Sequence, residues 1–257
     1  MSVELTEGQY NVLRDLIYRE CGINLGISKL ALLKARLSKR MRSLGIESIT
    51  AYMDLIKRDG NELINFIDAV STNHTFFFRE NRHCEFLIKK LDNYHYLKIW
   101  SAASSSGEEP FSIAFQLLER GFRFEIFASD ISISMLSTAK RAIYHKGKLR
   151  LVPKEIIRKY CLRGINENED YVKIKDEVRT HIRFARHNLI SDPPPGLYDI
   201  IFCRNVMIYF DDATKQNVVA KLYKCLRDGG YFIIGASEGL VGLKHRFKYV
   251  EPSIYRK

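Results

Sequence analysis

Residues 96–130 read YLKIWSAASSSGEEPFSIAFQLLERGFRFEIFASD, and the succession of patterns within them decides the fold class. Tyr96–Ala102 is an apolar run with the length and composition of a buried strand. Small residues follow as far as Gly107, and an amphipathic helix is predicted over Gly107–Arg120, stopped by Gly121. Phe124–Ser129 is a second strand, ending at Asp130. A strand, a crossover helix and a second strand open a doubly wound α/β sheet.

Towards the carboxyl terminus, Tyr198–Cys203 (YDIIFC) and Tyr231–Gly235 (YFIIG) are predicted as further parallel strands. A helix from near Asp211 to the Gly229-Gly230 pair separates them. Before them, alternation in YVKIK and RTHIRFAR predicts an antiparallel insertion over Tyr171–His187. Towards the amino terminus the period changes to that of helices. Thr6 and Gln9 have capping-box spacing ahead of Tyr10, Leu13, Leu16 and Ile17. A second helix is predicted from Ser28, with Leu30, Leu33, Leu37, Met41 and Leu44 on one face and a stop at Gly45. Its other face carries Lys29, Lys34, Arg36, Lys39, Arg40 and Arg42. Helices at about 48–58 and 61–70 complete an all-helical unit ending near Ser71.

With 257 residues and 46% hydrophobic content, the chain can bury a full core. The start lacks the basic and apolar regions of a signal peptide, and no apolar run approaches the roughly 20 residues that span a bilayer. A soluble, cytoplasmic protein is the expectation. Cys21, Cys84, Cys161, Cys203 and Cys225 stand singly, the pattern of reduced packing residues, and no metal is expected. The net charge of +11 favours acidic partners without choosing among nucleic acid, membrane and protein.

Ligands of open α/β sheets bind beyond the carboxyl ends of the strands. There the chain places Ser101–Pro110, whose small residues let a ligand approach the backbone. It lacks the Lys-Ser/Thr pair of a P-loop. Asp130 falls 23 residues after Gly107, near the spacing at which an acidic residue takes ribose hydroxyls. Glu108 and Glu109 begin a helix, where either carboxylate suits the dipole or an incoming ammonium. Asn188 and Asn205 offer amide groups and Tyr209 a phenol at the ends of later strands.

Four segments in order resemble CheR-type chemotaxis methyltransferases, over nearly the whole chain. Asn73–Glu80 is similar to the family's N-x-T-x-F-F-R-[ED], and Trp100–Ala103 with Gly107–Ser112 to its W-S-A-A…G-E-E-P-Y-S loop. Ala128–Ile131 matches A-[ST]-D-I, and Ile201–Phe210 the fourth-strand motif. The resemblance implies an all-helical domain (1–70), a linker contributing to the site (71–94), and a class I, Rossmann-like methyltransferase domain (95–257). A small antiparallel β-subdomain would be inserted at about 164–187. It implies transfer of methyl from S-adenosylmethionine to glutamate carboxylates of chemoreceptors, giving 5-O-methyl esters and S-adenosylhomocysteine. Residue by residue, Asn73, Thr75 and Arg79 would contact the cofactor from the linker, and Ala103 would lie on its loop. Glu108 or Glu109 would hold its amino group and Asp130 its ribose, with Asn188, Leu189, Arg204 and Asn205 bordering the rest. The departures Ser104-Ser105-Ser106 and Phe111 keep size or aromaticity, whereas Gly164–Tyr171 is less typical.

A glutamate carboxylate is already anionic at neutral pH, so no strong base is required, and one orienting cation or phenol serves better than a cluster. Arg79 and Tyr209 are the catalytic candidates, Arg79 either clamping the cofactor carboxylate or positioning the glutamate. Receptor cytoplasmic domains would dock through the basic helix 28–44 and the β-subdomain, on a monomer without nucleic-acid or membrane contacts. Two rival readings are a nucleic-acid methyltransferase and a non-catalytic scaffold. Asp192–Pro195 resembles D-P-P-Y but precedes the fourth strand and lacks the aromatic; intact Arg79, Asp130, Asn205 and Tyr209 oppose the scaffold.

Overall fold

The capping box at Thr6 forms as its spacing implies: Thr6 Oγ1 accepts from the Gln9 N–H at 3.2 Å and Gln9 Oε1 from the Thr6 N–H at 3.0 Å. It starts α1 (Glu7–Cys21), which is followed by α2 (Leu30–Ser43), α3 (Ile49–Arg58) and α4 (Gly60–Val70). The computed structural model describes residues 4–26, 29–91 and 95–257; Ser28, the expected start of the second helix, lies outside them. Tyr10, Leu13, Ile17, Leu33, Leu37, Met41, Tyr52 and Phe66 form the helical domain's core. Leu44 falls beyond α2 and is exposed.

The basic stripe of α2 divides in two. Arg40 pairs with the buried Glu62, which also accepts from the Tyr52 hydroxyl at 2.7 Å. Arg36 donates to the carbonyls of Val70 and Ser71, and Lys34 reaches Glu4 at 2.8 Å. These three hold the domain together. Lys29, Lys39 and Arg42 are exposed, with no carboxylate partner among the described residues.

Within the linker, α5 (Arg82–Ile88) precedes the sheet domain. β1 (Leu97–Ala102), α6 (Glu108–Glu119), β2 (Phe124–Asp130) and α7 (Ile133–Arg141) follow the expected order. Next come β3 (Ile143–His145), α8 (Lys154–Tyr160), β4 (Cys161–Arg163), β5 (Tyr171–Ile174), α9 (Asp176–Arg179) and β6 (Ile182–Arg186). β7 (Tyr198–Cys203), α10 (Asp212–Cys225), β8 (Leu226–Ile234), β9 (Lys248–Glu251) and β10 (Ile254–Arg256) complete the chain. The main sheet has the order β6-β2-β1-β7-β8-β10-β9, parallel except for the last two strands. Central β7 is buried at every position, as a parallel strand covered on both faces must be.

Two expectations need correction. The small antiparallel sheet, β3-β5-β4, runs from Ile143 to Ile174, so it starts earlier and ends sooner than about 164–187. IRFAR, whose alternation resembles that of YVKI, instead pairs parallel with β2 as an edge strand of the main sheet. Half-exposed edge strands alternate whichever sheet they join, so periodicity could not separate the two. Gly229-Gly230 does not stop α10, which ends at Cys225; the pair lies inside β8, where the register jumps from Tyr198↔Leu226 to Ile200↔Tyr231. A Cβ on Gly230 would stand 2.7 Å from the Asp199 carbonyl oxygen, so close strand approach demands the glycine.

Candidate active site

The carboxyl ends of β1, β2, β6 and β7 open into a cleft covered by the linker and by Cys21 and Ile23 from the end of α1. Its floor is the loop after β1. Ala103 and Ser105 adopt φ of 62° and 49°, and Gly107 φ of 94° with Ala139 Cβ only 2.9 Å from where its own Cβ would be. Left-handed backbone at this density strains large side chains, which accounts for the run of small residues. The Ser105 N–H donates to Asp130 Oδ2 at 2.7 Å and the Ser132 N–H to Oδ1 at 2.9 Å. Asp130 thus ties the loop after β1 to that after β2 while facing the cleft. Burial pushes its carboxyl up against those N–H groups. Ser132 caps α7, its side chain accepting from the Met135 N–H.

The adjacent glutamates diverge, as successive helical positions must. Glu109 lines the cleft, accepting from Ser101 Oγ at 2.7 Å and pairing with Arg204 at 2.9 Å. Glu108 is fully buried, engaged by Lys148 and by Ser106 Oγ at 2.6 Å, and does not reach the cleft. The alternative of Glu108 as a cofactor ligand is therefore withdrawn: it anchors the turn that carries Lys148.

Asn73, Thr75 and Arg79 all line the cleft. Arg79 donates to the His74 carbonyl at 2.8 Å, lies 5.7 Å from the Phe76 ring centroid and keeps Glu80 at 3.9 Å. Arg204 is nearly inaccessible, clasped by Glu109, by Glu80 at 3.1 Å and by the Arg79 carbonyl at 2.6 Å. Its guanidinium builds the wall. Asn205, at φ 58°, donates to Glu80 from its side chain at 3.3 Å and to Glu238 from its backbone at 2.8 Å.

Asn188 and Leu189 also line the cleft, but the Asn188 amide is engaged: it donates to the Glu20 carbonyl at 2.6 Å and accepts from the Ile190 N–H. It seams the helical domain to the sheet, and Leu189 gives that wall its apolar surface. Tyr209 reaches the cleft from a tight turn over Met207–Tyr209, and its carbonyl accepts from the Asn24 N–H at 2.8 Å.

Three supporting groups escaped sequence reading. Glu80, the acid that ends the Asn73–Glu80 segment, joins the linker to Arg204, Asn205 and the Ala236 N–H. Glu238, pushed up by burial, accepts from the N–H groups of Gly235, Asn205 and Ile208 and so shapes the turn of Tyr209. Its signal was an acid just beyond the β8 terminus. Lys221 is held by the carbonyls of Leu189, Ile190 and Asp192, a role no pattern announces.

Comparison with known proteins adds to this geometry. Residues 8–71 match the family model for the CheR methyltransferase all-alpha domain, and residues 73–256 that for the CheR methyltransferase SAM binding domain. A chemotaxis protein methyltransferase of Borreliella burgdorferi is 35% identical, covering 100% of this chain and 96% of the relative. Chemotaxis protein methyltransferase 2 of Pseudomonas aeruginosa is 36% identical, covering 97% and 93%. That of Escherichia coli is 34% identical, covering 98% and 91%. With both family models in sequence order and the cleft at the sheet edge where a class I methyltransferase holds its cofactor, the chain belongs to the CheR methyltransferase family, and its cofactor is S-adenosylmethionine.

Proposed function

We propose that the protein esterifies glutamate side chains of chemoreceptors, giving glutamate 5-O-methyl esters. The observation that carries this reading is the division of the cleft's two arginines. Arg204 is locked between Glu80 and Glu109, whereas among the described residues Arg79 meets the His74 carbonyl, the Phe76 ring and a carboxylate 3.9 Å away. One available guanidinium and one phenol lining the same cleft suit an anionic nucleophile that must be oriented without being over-stabilised. The names of the relatives, all chemotaxis protein methyltransferases, support a receptor as substrate.

The residues present fit S-adenosylmethionine. Ser104 Oγ is buried without a hydrogen-bond partner among the described residues and lines the cleft, as do Asp130 and Glu109. Asp130 would take ribose hydroxyls and Glu109 the ammonium group; Leu189, Ile190 and Ile131 would flank the adenine. Asn73, Thr75, Ala103, Asn188 and Asn205 would border the remainder. The chemistry supplied by the bound cofactor is an electrophilic methyl on a sulfonium. Arg79 aligns the substrate carboxylate and Tyr209 donates a hydrogen bond to it. The half-buried Phe76 and Phe78 at the cleft restrict water. No base is needed, and His187 beside the cleft is held neutral by burial, which lowers its pKa.

Receptor docking through α2 rests on Lys29, Lys39 and Arg42, since Lys34, Arg36 and Arg40 are engaged within the domain. Transfer of a tritiated methyl group to purified receptor cytoplasmic domains, followed by release of labelled methanol in mild base, tests the reading. Label that survives base treatment, or appears on nucleic acid instead, would contradict it.

A further inference from the structure

Tyr209 lines the cleft, yet its hydroxyl makes no hydrogen bond among the described residues, so the phenol is placed by the backbone that carries it. That backbone is unusual. Asn205, at the head of the turn, has φ of 58°, a left-handed conformation that a non-glycine residue keeps only where its surroundings impose it. Two carboxylates impose it. Glu238 Oε2 accepts from the Asn205 N–H at 2.8 Å and the Gly235 N–H at 2.7 Å, while its Oε1 accepts from the Ile208 N–H at 3.2 Å. Glu80 Oε1 accepts from the Asn205 side-chain amide at 3.3 Å, and its Oε2 from the Ala236 N–H at 2.9 Å. The space for this arrangement depends on Gly235, where a Cβ would stand 2.5 Å from Asn205 Nδ2 and 2.8 Å from Glu238 Oε2.

The two acids serve different parts of the site. Glu80 also holds the Arg204 guanidinium and so belongs to the cleft wall. Glu238 does not line the cleft, and among the described residues its carboxylate bonds only to backbone N–H groups. It can influence the reaction only through the turn it holds. We infer that Glu238 is a positioning residue for methyl transfer, fixing the turn from Asn205 to Tyr209 so that the phenol meets the substrate carboxylate. This rests on the reading that the phenol donates to that carboxylate. A displacement of about 1 Å in an orienting group can cost on the order of 100-fold in rate. Loosening the turn therefore registers in turnover while cofactor and receptor still bind.

The test uses the full-length protein and a purified receptor cytoplasmic domain. Glu238→Gln keeps the shape of the side chain but sets an amide donor, in place of one acceptor, against the N–H groups of the turn. It lowers kcat by about tenfold per cofactor-binding site, the sites being counted by calorimetric titration with S-adenosylhomocysteine, and leaves receptor KM and cofactor Kd within about twofold. Amide hydrogen exchange over residues 204–210 quickens in the same variant, a readout that needs no turnover. In a Tyr209→Phe background Glu238→Gln costs no further turnover, because both changes act on one phenol. Glu238→Asp, which keeps the charge but draws it back by one methylene, falls between, and it carries the same comparisons if the Gln variant binds no cofactor. Losses that multiply in the double variant, unchanged exchange in the turn, or a loss confined to cofactor Kd overturn this inference alone. A wild-type rate in Tyr209→Phe refutes the phenol's role and this inference with it. Failure of the wild-type protein to form a base-labile ester instead refutes the proposed reaction, and the exchange comparison still decides whether Glu238 holds the turn.

Discussion

His83 sits behind the cleft wall at 1% exposure, and neither ring nitrogen has a hydrogen-bond partner among the described residues. Burial, followed by the charge of Arg204, pushes its pKa from 6.5 down to about 4, against the opposing pull of Glu80 at 3.8 Å. The unfolded chain takes up this proton near 6.5, whereas the folded protein refuses it until about 4. Between those values the unfolded state carries more protons, so stability falls as pH falls, and the contribution is complete above 6.5. At about 1.4 kcal/mol per pH unit, roughly 2 kcal/mol is lost by pH 5 and about 3 kcal/mol by pH 4. His83→Leu removes this titration together with the two unpaired ring nitrogens, so at pH 7 its stability stays within about 1 kcal/mol of wild type. At pH 5 the variant gains about 2 kcal/mol relative to wild type. Urea unfolding at pH 7, 6 and 5, followed by fluorescence, reads the difference, because Trp100 is the only tryptophan and is fully buried in the sheet domain that α5 precedes. A gap between the two proteins that stays constant from pH 7 to pH 5 would refute the reasoning.

Arg79→Ala is expected to lower methyl transfer by about a hundredfold or more while the melting temperature stays within a few degrees; retained activity would remove Arg79 from the mechanism. Tyr209→Phe should reduce kcat by roughly tenfold, whereas a change confined to receptor KM would make the phenol a binding group only. Glu109→Gln should weaken S-adenosylmethionine binding by calorimetry and Glu108→Gln should not. The latter instead costs about 1–3 kcal/mol of stability through the buried bond to Lys148, and reversed effects would exchange the two roles. Gly22→Ala should destabilise by about 1–3 kcal/mol in thermal unfolding, since φ is 70° and the new Cβ would meet Ile190 and Thr214 at 2.9 Å. A neutral result would mean that the seam between the domains yields.

The sequence by itself determined what depends on local period and spacing. The capping box at Thr6, the β1–α6–β2 unit and the fully apolar YDIIFC strand were legible because each is a short-range pattern with one geometric outcome. So was the sheet edge that carries the chemistry, since strand order in a doubly wound sheet sends Ala103, Asp130, Asn188 and Asn205 to the same end. Only the tertiary structure decided which atoms meet there. Glu108 and Glu109 have the same chemistry and adjacent positions, and the 100° step of the helix turned one to Lys148 and the other to Arg204. The edge strand Ile182–Arg186 alternates like a strand of the small sheet, and pairing with β2 assigned it to the large one. Arg36 and Arg40 read as surface charge until α4 brought Glu62 and the Val70 and Ser71 carbonyls against them. Glu80 and Glu238 bind backbone N–H groups and side chains that are remote in sequence, and no periodicity encodes such partners. Hydrogen bonds of this kind are fixed by distance and angle in the folded chain, and residue spacing carries neither.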